Sequence, residues 1–417
     1  MRKKQLCHTP EEFTPSASGG IIRKHYQFEL ITPMFGGDAE SWKLDLKNPV
    51  RGQSVKGQLR FWWRTMQNIN DHSLLLDTEN SVWGGKTADY KNGSKSKVLL
   101  SISEVEIGDK VCAEMANKYA VKDDVMPTNV LFPITSLVKN LESIYFITKM
   151  KFTLNISFPE SKKNEIINTL KLWTLLGGIG ARTRRGTGSI YCKELLEGLE
   201  SQKDILSFFK DAASGETDDL EYSRIAGVKF FSQTINSGDT AKIWHSFLES
   251  YGKFRQDRPQ GKPPGRSYWP EPDAIRLITG QFPDVHTPVH PDGKWFPRAA
   301  FGLPILTKFT GDNEPGNGNN INLEPDIGTG ERYPSPVILK VIRLNNGTIL
   351  KCAIVLNQKF PQRLVLKVRH ENYNITGKML PFHSGYETTK DMRKGHPLNG
   401  NTIYENLANH LSLSEVK

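Results

Sequence analysis

A stretch of seventeen residues, 48–64, limits what this chain can fold into (NPVRGQSVKGQLRFWWR). Its Asn-Pro and Arg-Gly pairs are typical of turns, and Ser54 is a suitable N-cap for a helix after it. Beyond it, apolar residues recur at spacings of four and three: Val55, Leu59, Trp62, Met66 and Ile69. The stretch therefore predicts an amphipathic helix over about residues 54–69, whose apolar stripe needs a partner surface to pack against.

The polar side of this predicted helix is cationic. Lys56, Arg60 and Arg64 recur every four residues, Arg51 lies in the entry turn, and no acidic residue occurs between positions 47 and 70. Free amides at a helix N-terminus together with stacked cations favour an anionic backbone as ligand. Trp63 is expected nearer the cationic side than Trp62; partial packing is the favoured outcome, and stacking on a base is the alternative. A solvated face of a surface helix is the alternative.

Composition favours a polyanion as the partner. The chain has 417 residues, a formal net charge of +10 and a pI of about 9.2, and it is long enough for two domains. The four cysteines lie far apart without a CxxC pair, which argues against a disulfide framework or a zinc site. No signal peptide or apolar run of membrane length is present, so we expect a cytoplasmic protein without membrane contact, metal or cofactor.

Residues 25–195 predict an α+β domain in the order strand, helix, strand, strand, helix, strand. The predicted strands are 26–32, 97–107, 144–158 and 189–192, and a second helix runs from Ser161 to Gly177. This βαββαβ order is ferredoxin-like (RRM-like), with helices on one face of the sheet. We expect a single antiparallel sheet, with the helix stripe Ile166, Leu170 and Trp173 in the same core as the first stripe.

The remaining chain shows weaker patterns. Residues 1–24 read as an irregular arm, and residues 196–417 as a second, degenerate ferredoxin-like α+β domain with insertions. Its expected elements are a helix at 240–255, strands at 336–344, 348–356 and 364–370, and a terminal helix at 403–413. Residues 311–331 are rich in Gly and Asn, which predicts a mobile loop.

A second basic motif occupies residues 177–189 (GGIGARTRRGTGS). Five glycines in twelve residues let a polyanion approach the main chain, and we name Gly178, Gly180 and Gly186 as contacts. Consecutive amides form anion-binding nests, and guanidinium groups bind phosphate oxygens: Arg182, Arg184 and Arg185. The motif follows a helix and enters a strand, unlike a dinucleotide fingerprint, and it has no P-loop lysine. A helix C-cap followed by a basic turn is the alternative.

These two motifs carry a family resemblance. Residues 177–189 resemble the glycine-rich loop of the RAMP superfamily of CRISPR RNA-binding proteins, and residues 50–64 resemble the first helix of the first RAMP subunit in type III-B Cmr complexes. Supporting pieces lie across residues 28–340: TPMFGG (32–37), VWGG (82–85), RSYWPEPD (266–273), FGLP (301–304) and RYPSP (332–336).

The resemblance implies two ferredoxin-like domains and a non-catalytic place in an RNA-guided antiviral effector. Such a subunit binds the guide RNA (crRNA) and target RNA near the 3′ end of the guide, beside the sixth Cmr subunit and the repeating backbone subunit. On this interpretation Arg51, Lys56, Arg60, Arg64 and Trp63 are RNA-binding residues. The residues named above in the glycine-rich motif have the same role.

An endoribonuclease is the alternative function, since the same superfamily includes metal-dependent and histidine-dependent RNA-cleaving enzymes. Asp38, in the loop after the first strand, and His25, at the start of that strand, are the candidate catalytic residues. Asp45 is a further acid in this loop. The pair His286 and His290 flanks Pro288, which predicts a turn rather than a metal site.

Overall fold

The structure is a computed structural model that describes most of the chain. The described residues are 20–38, 43–86, 93–113, 115–117, 120–121, 125–127, 130, 144–213, 215, 222–256, 267, 269–288, 295–326, 332–376 and 402–417. Most of the predicted arm at 1–24 and residue His290 therefore lie outside the described residues. In the ranges given, no helix combines the length and the apolar character needed to cross a bilayer.

The first half of the chain builds one four-stranded sheet with helices on one side. Its elements are β1 (Ile21–Leu30), α1 (Gly52–Met66), α2 (His72–Trp83), β2 (Gly85–Lys86), β3 (Gly93–Ser94), β4 (Leu99–Ala113), β5 (Met115–Asn117), β6 (Ala120–Val121), β7 (Ile144–Pro159), α3 (Lys163–Leu176) and β8 (Ile190–Tyr191). The sheet order is β4-β7-β1-β8, and every pair is antiparallel. Across the sheet the strands thus stand second, third, first and fourth in chain order.

Alternation along β1 explains why this sheet has one covered and one open face. Tyr26, Phe28 and Leu30 are buried, whereas Gln27, which lies between Tyr26 and Phe28, is exposed, as are Arg23 and His25 earlier on the same face of the strand. The buried side receives both helices, and the apolar stripes of α1 and α3 lie in one core, as predicted. This core holds the helices against the sheet, and the opposite face is left to polar side chains.

Three features of this half differ from the sequence-based expectations. The first strand begins at Ile21, so the end of the predicted arm is part of β1. The first helix begins at Gly52 after the N-cap residue Arg51, two residues before the predicted cap Ser54. The helix α2 was not predicted; its N-cap is Asp71, whose carboxylate accepts a hydrogen bond from the Leu74 amide at 2.6 Å.

The second half repeats the same strand order and adds a third four-stranded sheet. Its elements are α4 (Gln202–Ala212), β9 (Arg224–Ile235), α5 (Thr240–Gln256), α6 (Glu271–Thr279), β10 (Ile305–Lys308), β11 (Asn320–Pro325), β12 (Val337–Arg343), β13 (Ile349–Asn357), β14 (Arg363–Val368), β15 (Glu371–Thr376), α7 (Ile403–His410) and β16 (Ser414–Glu415). The second sheet has the order β12-β13-β9-β16, again second, third, first and fourth in chain order. The predicted strands and terminal helix of this half match β12, β13, β14 and α7 closely.

The second sheet is buried on both faces, which joins the two halves. On β12, Val337, Leu339 and Val341 lie in the core formed with α5 and α7. Ile338 and Ile342, which point the other way, belong to the core that contains α1 and α3. The layers are therefore the first sheet, its helices, the second sheet, and the helices α5 and α7.

The insertions of the second half form the third sheet, β10-β11-β14-β15, with its own apolar core. The predicted mobile loop at 311–331 is wrong for residues 320–325, which form the strand β11. Glu314 in the same segment is buried and pairs with Arg276 of α6 at 2.9 Å. Residues 327–331 lie outside the described residues. Low apolar content misled the prediction because strand pairing and one buried ion pair order this segment.

Candidate nucleic-acid interface

The loop after β1 brings the two basic motifs together. The carbonyl oxygen of Phe35 accepts a hydrogen bond from the Ala181 amide at 2.8 Å, and the carbonyl oxygen of Gly37 accepts one from the Arg51 guanidinium. Gly180 has a φ of +78°, and a Cβ there would lie 2.6 Å from the Phe35 carbonyl oxygen. Only glycine permits this approach, so the start of α1 and the glycine-rich motif meet at one loop.

The N-terminus of α1 faces outward at this junction. Arg51, Gln53 and Ser54 are exposed, no side chain caps the first turn, and that turn contains no acidic residue. The first amides of a helix have no intrahelical acceptor and carry the positive end of its dipole. In the preceding turn, Asp45 accepts hydrogen bonds from the Lys47 and Asn48 amides, and these bonds lower the pKa of its carboxyl group.

The C-terminal half of the cationic stripe is neutralised by α2. Glu79 is 2% exposed, and its carboxylate accepts from the Arg60 Nε and, at 2.7 Å, from Arg64. Arg60 also donates to the Asn80 side chain at 3.1 Å. Glu79, which balances these charges, lies outside the acid-free interval 47–70 and on α2, a helix that was not predicted. Arg60 and Arg64 are therefore structural partners of Glu79, and only the outer part of each remains accessible.

Lys56 occupies the middle of the stripe. Its Nζ donates to the Ser96 hydroxyl at 3.0 Å. The pKa of its ammonium group is lowered mainly by partial burial and to a smaller extent by the nearby charge of Arg60. The adjacent Gly57 is exposed, and a Cβ at that position would have no atom within 4 Å. No packing contact therefore requires glycine at position 57, although a glycine inside a helix costs stability relative to alanine.

The prediction that Trp63 is available for base stacking is wrong. Its side chain is fully buried, and its indole N–H donates to the Glu165 carboxylate of α3. Trp62 is also buried, as expected. The reason is that α1 is covered on two sides, by its own sheet and helix α3 and by β9 of the second half. Because α1 is covered on two sides, its polar face is too narrow to include Trp63.

The arginines of the glycine-rich motif divide into two groups. Arg184 donates to the Ser335 carbonyl oxygen and lies over the Phe61 ring at 5.5 Å, and burial lowers its pKa to about 10. Arg185 donates to the Val337 carbonyl oxygen at 3.3 Å and lies over the Tyr251 ring at 4.8 Å. Both join the motif to the second half of the chain, where carbonyl oxygens and aromatic rings occupy the guanidinium groups that were predicted to bind phosphate.

Arg182 remains outward. It is exposed, has the left-handed φ of +59°, and its side chain makes no hydrogen bond or ion pair with another described residue. It directly follows Ala181, whose amide is fixed on the loop after β1. Arg51 and Arg182 are thus the two arginines that flank this loop.

Two of the predicted glycine contacts are inaccessible. Gly178 and Gly186 are buried. A Cβ at Gly178 would lie 2.6 Å from the Gly188 carbonyl oxygen, and one at Gly186 would lie 2.8 Å from that of Leu339. The Gly186 carbonyl oxygen also accepts from the Thr32 hydroxyl at 2.6 Å. Gly178 permits tight packing within the motif and Gly186 permits it against β12, and of the three predicted glycines only Gly180 is partly open.

The candidate catalytic residues do not assemble a site. His25 lies on the open sheet face, where its Nδ1 is 2.5 Å from the Asn155 side-chain oxygen. Asp38 lies in the loop after β1, and its amide donates to the Lys43 carbonyl oxygen at 3.3 Å. His286 pairs with the buried Glu314. The described residues include no group of three His, Cys, Asp or Glu side chains arranged to hold a metal ion.

Comparisons with known proteins agree with this architecture. Residues 27–191 match the model of the RAMP superfamily. The CRISPR system Cmr subunit Cmr1-1 of Pyrococcus furiosus is 26% identical over 267 residues, which are 61% of this chain and 70% of that protein. Cmr1-2 of the same organism is 25% identical over 191 residues, 42% of this chain and 97% of that protein. The crystal structure of apo Cmr1 from P. furiosus matches with a TM-score of 0.50 and 18% identity, covering 94% of this chain and 98% of that one, and shows a shared fold.

The family match begins in β1 and ends in β8, so it contains both basic motifs and the loop that joins them. The curated relatives extend the similarity beyond that half. Residues 27–191 are thus similar to the RAMP superfamily, and the curated relatives that the chain matches are Cmr1 subunits.

Proposed function

We propose that this protein is a non-catalytic, RNA-binding subunit of a type III-B CRISPR (Cmr) effector complex. The observation that carries the proposal is the junction at the loop after β1. There Arg51, Arg182, the uncapped start of α1 and Gly180 meet on one accessible surface. Helix amides and guanidinium groups are suitable donors for the phosphates of an RNA backbone.

We infer that the chain contains two ferredoxin-like domains. Both large sheets have the strand order second, third, first and fourth, with a helix after the first strand and another before the fourth. This agrees with the split βαβ arrangement. The third sheet is an insertion into the second domain.

The proposed ligand is single-stranded guide or target RNA. The exposed donors near the junction are charged or main-chain groups, and both tryptophans of α1 are buried, so base recognition by stacking is not expected there. From the family resemblance, the partners are the guide RNA, the target RNA, the sixth Cmr subunit and the repeating backbone subunit. The same resemblance suggests contact near the 3′ end of the guide, in the cytoplasm.

The test is RNA affinity as a function of salt for Arg51→Ala and Arg182→Ala. Each variant should weaken binding and lower the slope of log affinity against log salt by roughly 0.7, the value for one phosphate contact on a single strand. Arg23→Ala is the matched control, because Arg23 is an exposed arginine on the open sheet face of the same domain. An equal loss in all three variants would indicate general attraction to a basic surface and would contradict this site.

The endoribonuclease is the second candidate, favoured only by the position of Asp38 in the loop that the two motifs share. It is tested with a labelled repeat RNA, with and without Mn²⁺. Specific cleavage that is lost in Asp38→Ala or His25→Ala would replace the binding function with a catalytic one.

A further inference from the structure

Lys340 lies at the centre of β12, where the second sheet packs on the helices of the first half. Its neighbours on the same face, Ile338 and Ile342, belong to the shared apolar core, and Lys340 itself is 1% exposed. An apolar residue is expected at such a position, because removing an isolated ammonium group from water is costly. The presence of lysine therefore needs an explanation in its contacts.

The contact is the end of α3. The Nζ of Lys340 donates to the carbonyl oxygen of Gly177, the C-cap residue of that helix. Carbonyl groups at a helix C-terminus have no intrahelical donor and carry the negative end of the dipole, so they accept well from a cation. Gly177 is also the first residue of the glycine-rich motif.

The same strand holds this motif at further points. Arg184 donates to the Ser335 carbonyl oxygen just before β12, and Arg185 donates to that of Val337, its first residue. Of these three contacts, Lys340 alone reaches the beginning of the motif. Arg182, the exposed arginine of the motif, lies five residues after Gly177.

We propose that Lys340 is a positioning residue of the glycine-rich motif, holding the point where α3 ends so that Arg182 is presented beside the loop after β1. The proposal deepens the RNA-binding function and rests on it. Lys340 does not contact the surface at which RNA is expected, and it acts through the main chain of Gly177.

The surroundings of Lys340 make this contact sensitive to pH. Burial lowers the pKa of its ammonium group from 10.5 to about 7. From β13 the facing group is the Cys352 thiol, whose pKa burial raises to about 12, so it is neutral near pH 7. From α3 the facing group is the uncharged Gly177 carbonyl, and Arg184 and Arg185 donate to other carbonyls. A charged donor forms the stronger hydrogen bond, so the hold on Gly177 weakens as pH rises through about 7.

The effect on global stability has the opposite sign. The pKa in the folded state lies below the value of 10.5 in the unfolded chain, so between about 7 and 10.5 the unfolded state binds more protons. The contribution of Lys340 to stability should therefore be lowest at and below pH 7 and rise toward pH 10.5. Each pH unit in this window lowers the equilibrium constant for unfolding by up to about tenfold.

The first experiment compares denaturant unfolding of the wild type and Lys340→Met across this pH window. The wild type should gain stability relative to Lys340→Met as pH rises. Lys229→Met is the matched control, since Lys229 is an exposed lysine on β9 of the same sheet, and its profile should follow the wild type. Identical pH profiles for the wild type and Lys340→Met would overturn the pH sensitivity of the contact with Gly177. If Lys340→Met does not fold, Lys340→Arg, whose charge does not titrate in this window, should lose the same pH-dependent gain.

The second experiment measures RNA affinity and the amide hydrogen exchange of residues 177–189. Lys340→Met should weaken RNA binding severalfold, and its affinity should lose the decrease that the wild type shows as pH rises through about 7. Its motif amides should exchange faster. If the wild type binds no RNA, the proposed function fails, whereas faster exchange in Lys340→Met still supports the positioning role. Unchanged exchange overturns that role whether or not RNA binds.

Discussion

Both ends of α1 carry cations, but the two ends differ in what surrounds them. At the N-terminal end, Arg51 is exposed beside free helix amides, and no acidic residue lies in the first turn. At the C-terminal end, Arg60 and Arg64 share the buried carboxylate of Glu79. Tertiary contacts therefore divide the cations of α1 and its entry turn into an exposed end and a structural end.

The glycine-rich motif shows the same division. Arg182 is exposed, whereas Arg184 and Arg185 lie over aromatic rings and donate to carbonyl groups of the second half. In both motifs the arginine nearest the loop after β1 is the exposed one. The comparison predicts that stability and RNA binding separate along each motif.

The largest effect is expected for Glu79→Gln, which leaves Arg60 and Arg64 without their shared carboxylate. Removing one member of a buried ion pair is strongly destabilising, and since both arginines are about a third exposed we expect a loss of about 3 kcal/mol in the free energy of unfolding. Urea denaturation measures it, with the exposed Glu197→Gln as the matched control. A change within the error of the control would mean that the C-terminal end of α1 is as solvated as the N-terminal end.

An intermediate effect is expected for Arg184→Ala. It removes a charged hydrogen bond to Ser335 and the contact with Phe61, so we expect a loss of about 2 kcal/mol. Arg182→Ala in the same loop should change stability by less than about 0.5 kcal/mol, as exposed substitutions usually do. Thermal or urea unfolding of both variants checks the contrast. Equal values would show that the loop does not divide into a structural and a solvated part.

The smallest effect on stability is expected for Gly57→Ala, which should stabilise the fold but weaken RNA binding. Replacing an exposed glycine inside a helix should raise the free energy of unfolding by about 0.5–1 kcal/mol, because nothing crowds a Cβ there. If RNA approaches the helix backbone at this position, the same change weakens RNA affinity. Ser246→Ala, at an exposed position of α5, controls for stabilisation alone. A stabilised Gly57→Ala protein with unchanged affinity would remove this face of α1 from the interface.

The local patterns determined the order of the main elements. The stripes of α1 and α3 follow the helical period and the buried residues of β1 follow the strand period, so both could be predicted without knowing their partners. The glycine-rich motif was identified as a connection between a helix and a strand for the same reason, since glycine spacing is visible in the chain. Segments that depend on partners were missed: α2 is weakly amphipathic by pattern, and β11 is ordered by pairing with β10 and β14.

The tertiary structure alone decided which cations remain available to a ligand. The carboxylate that neutralises Arg60 is 19 residues away on another helix, and the carbonyl that holds Arg184 is 151 residues away in the second half. The burial of Trp63 and the position of Lys340 depend in the same way on the second sheet packing over α1 and α3. Periodicity reports which residues share a face, whereas burial and ion pairing depend on what covers that face, and here the covering elements lie far away in the sequence.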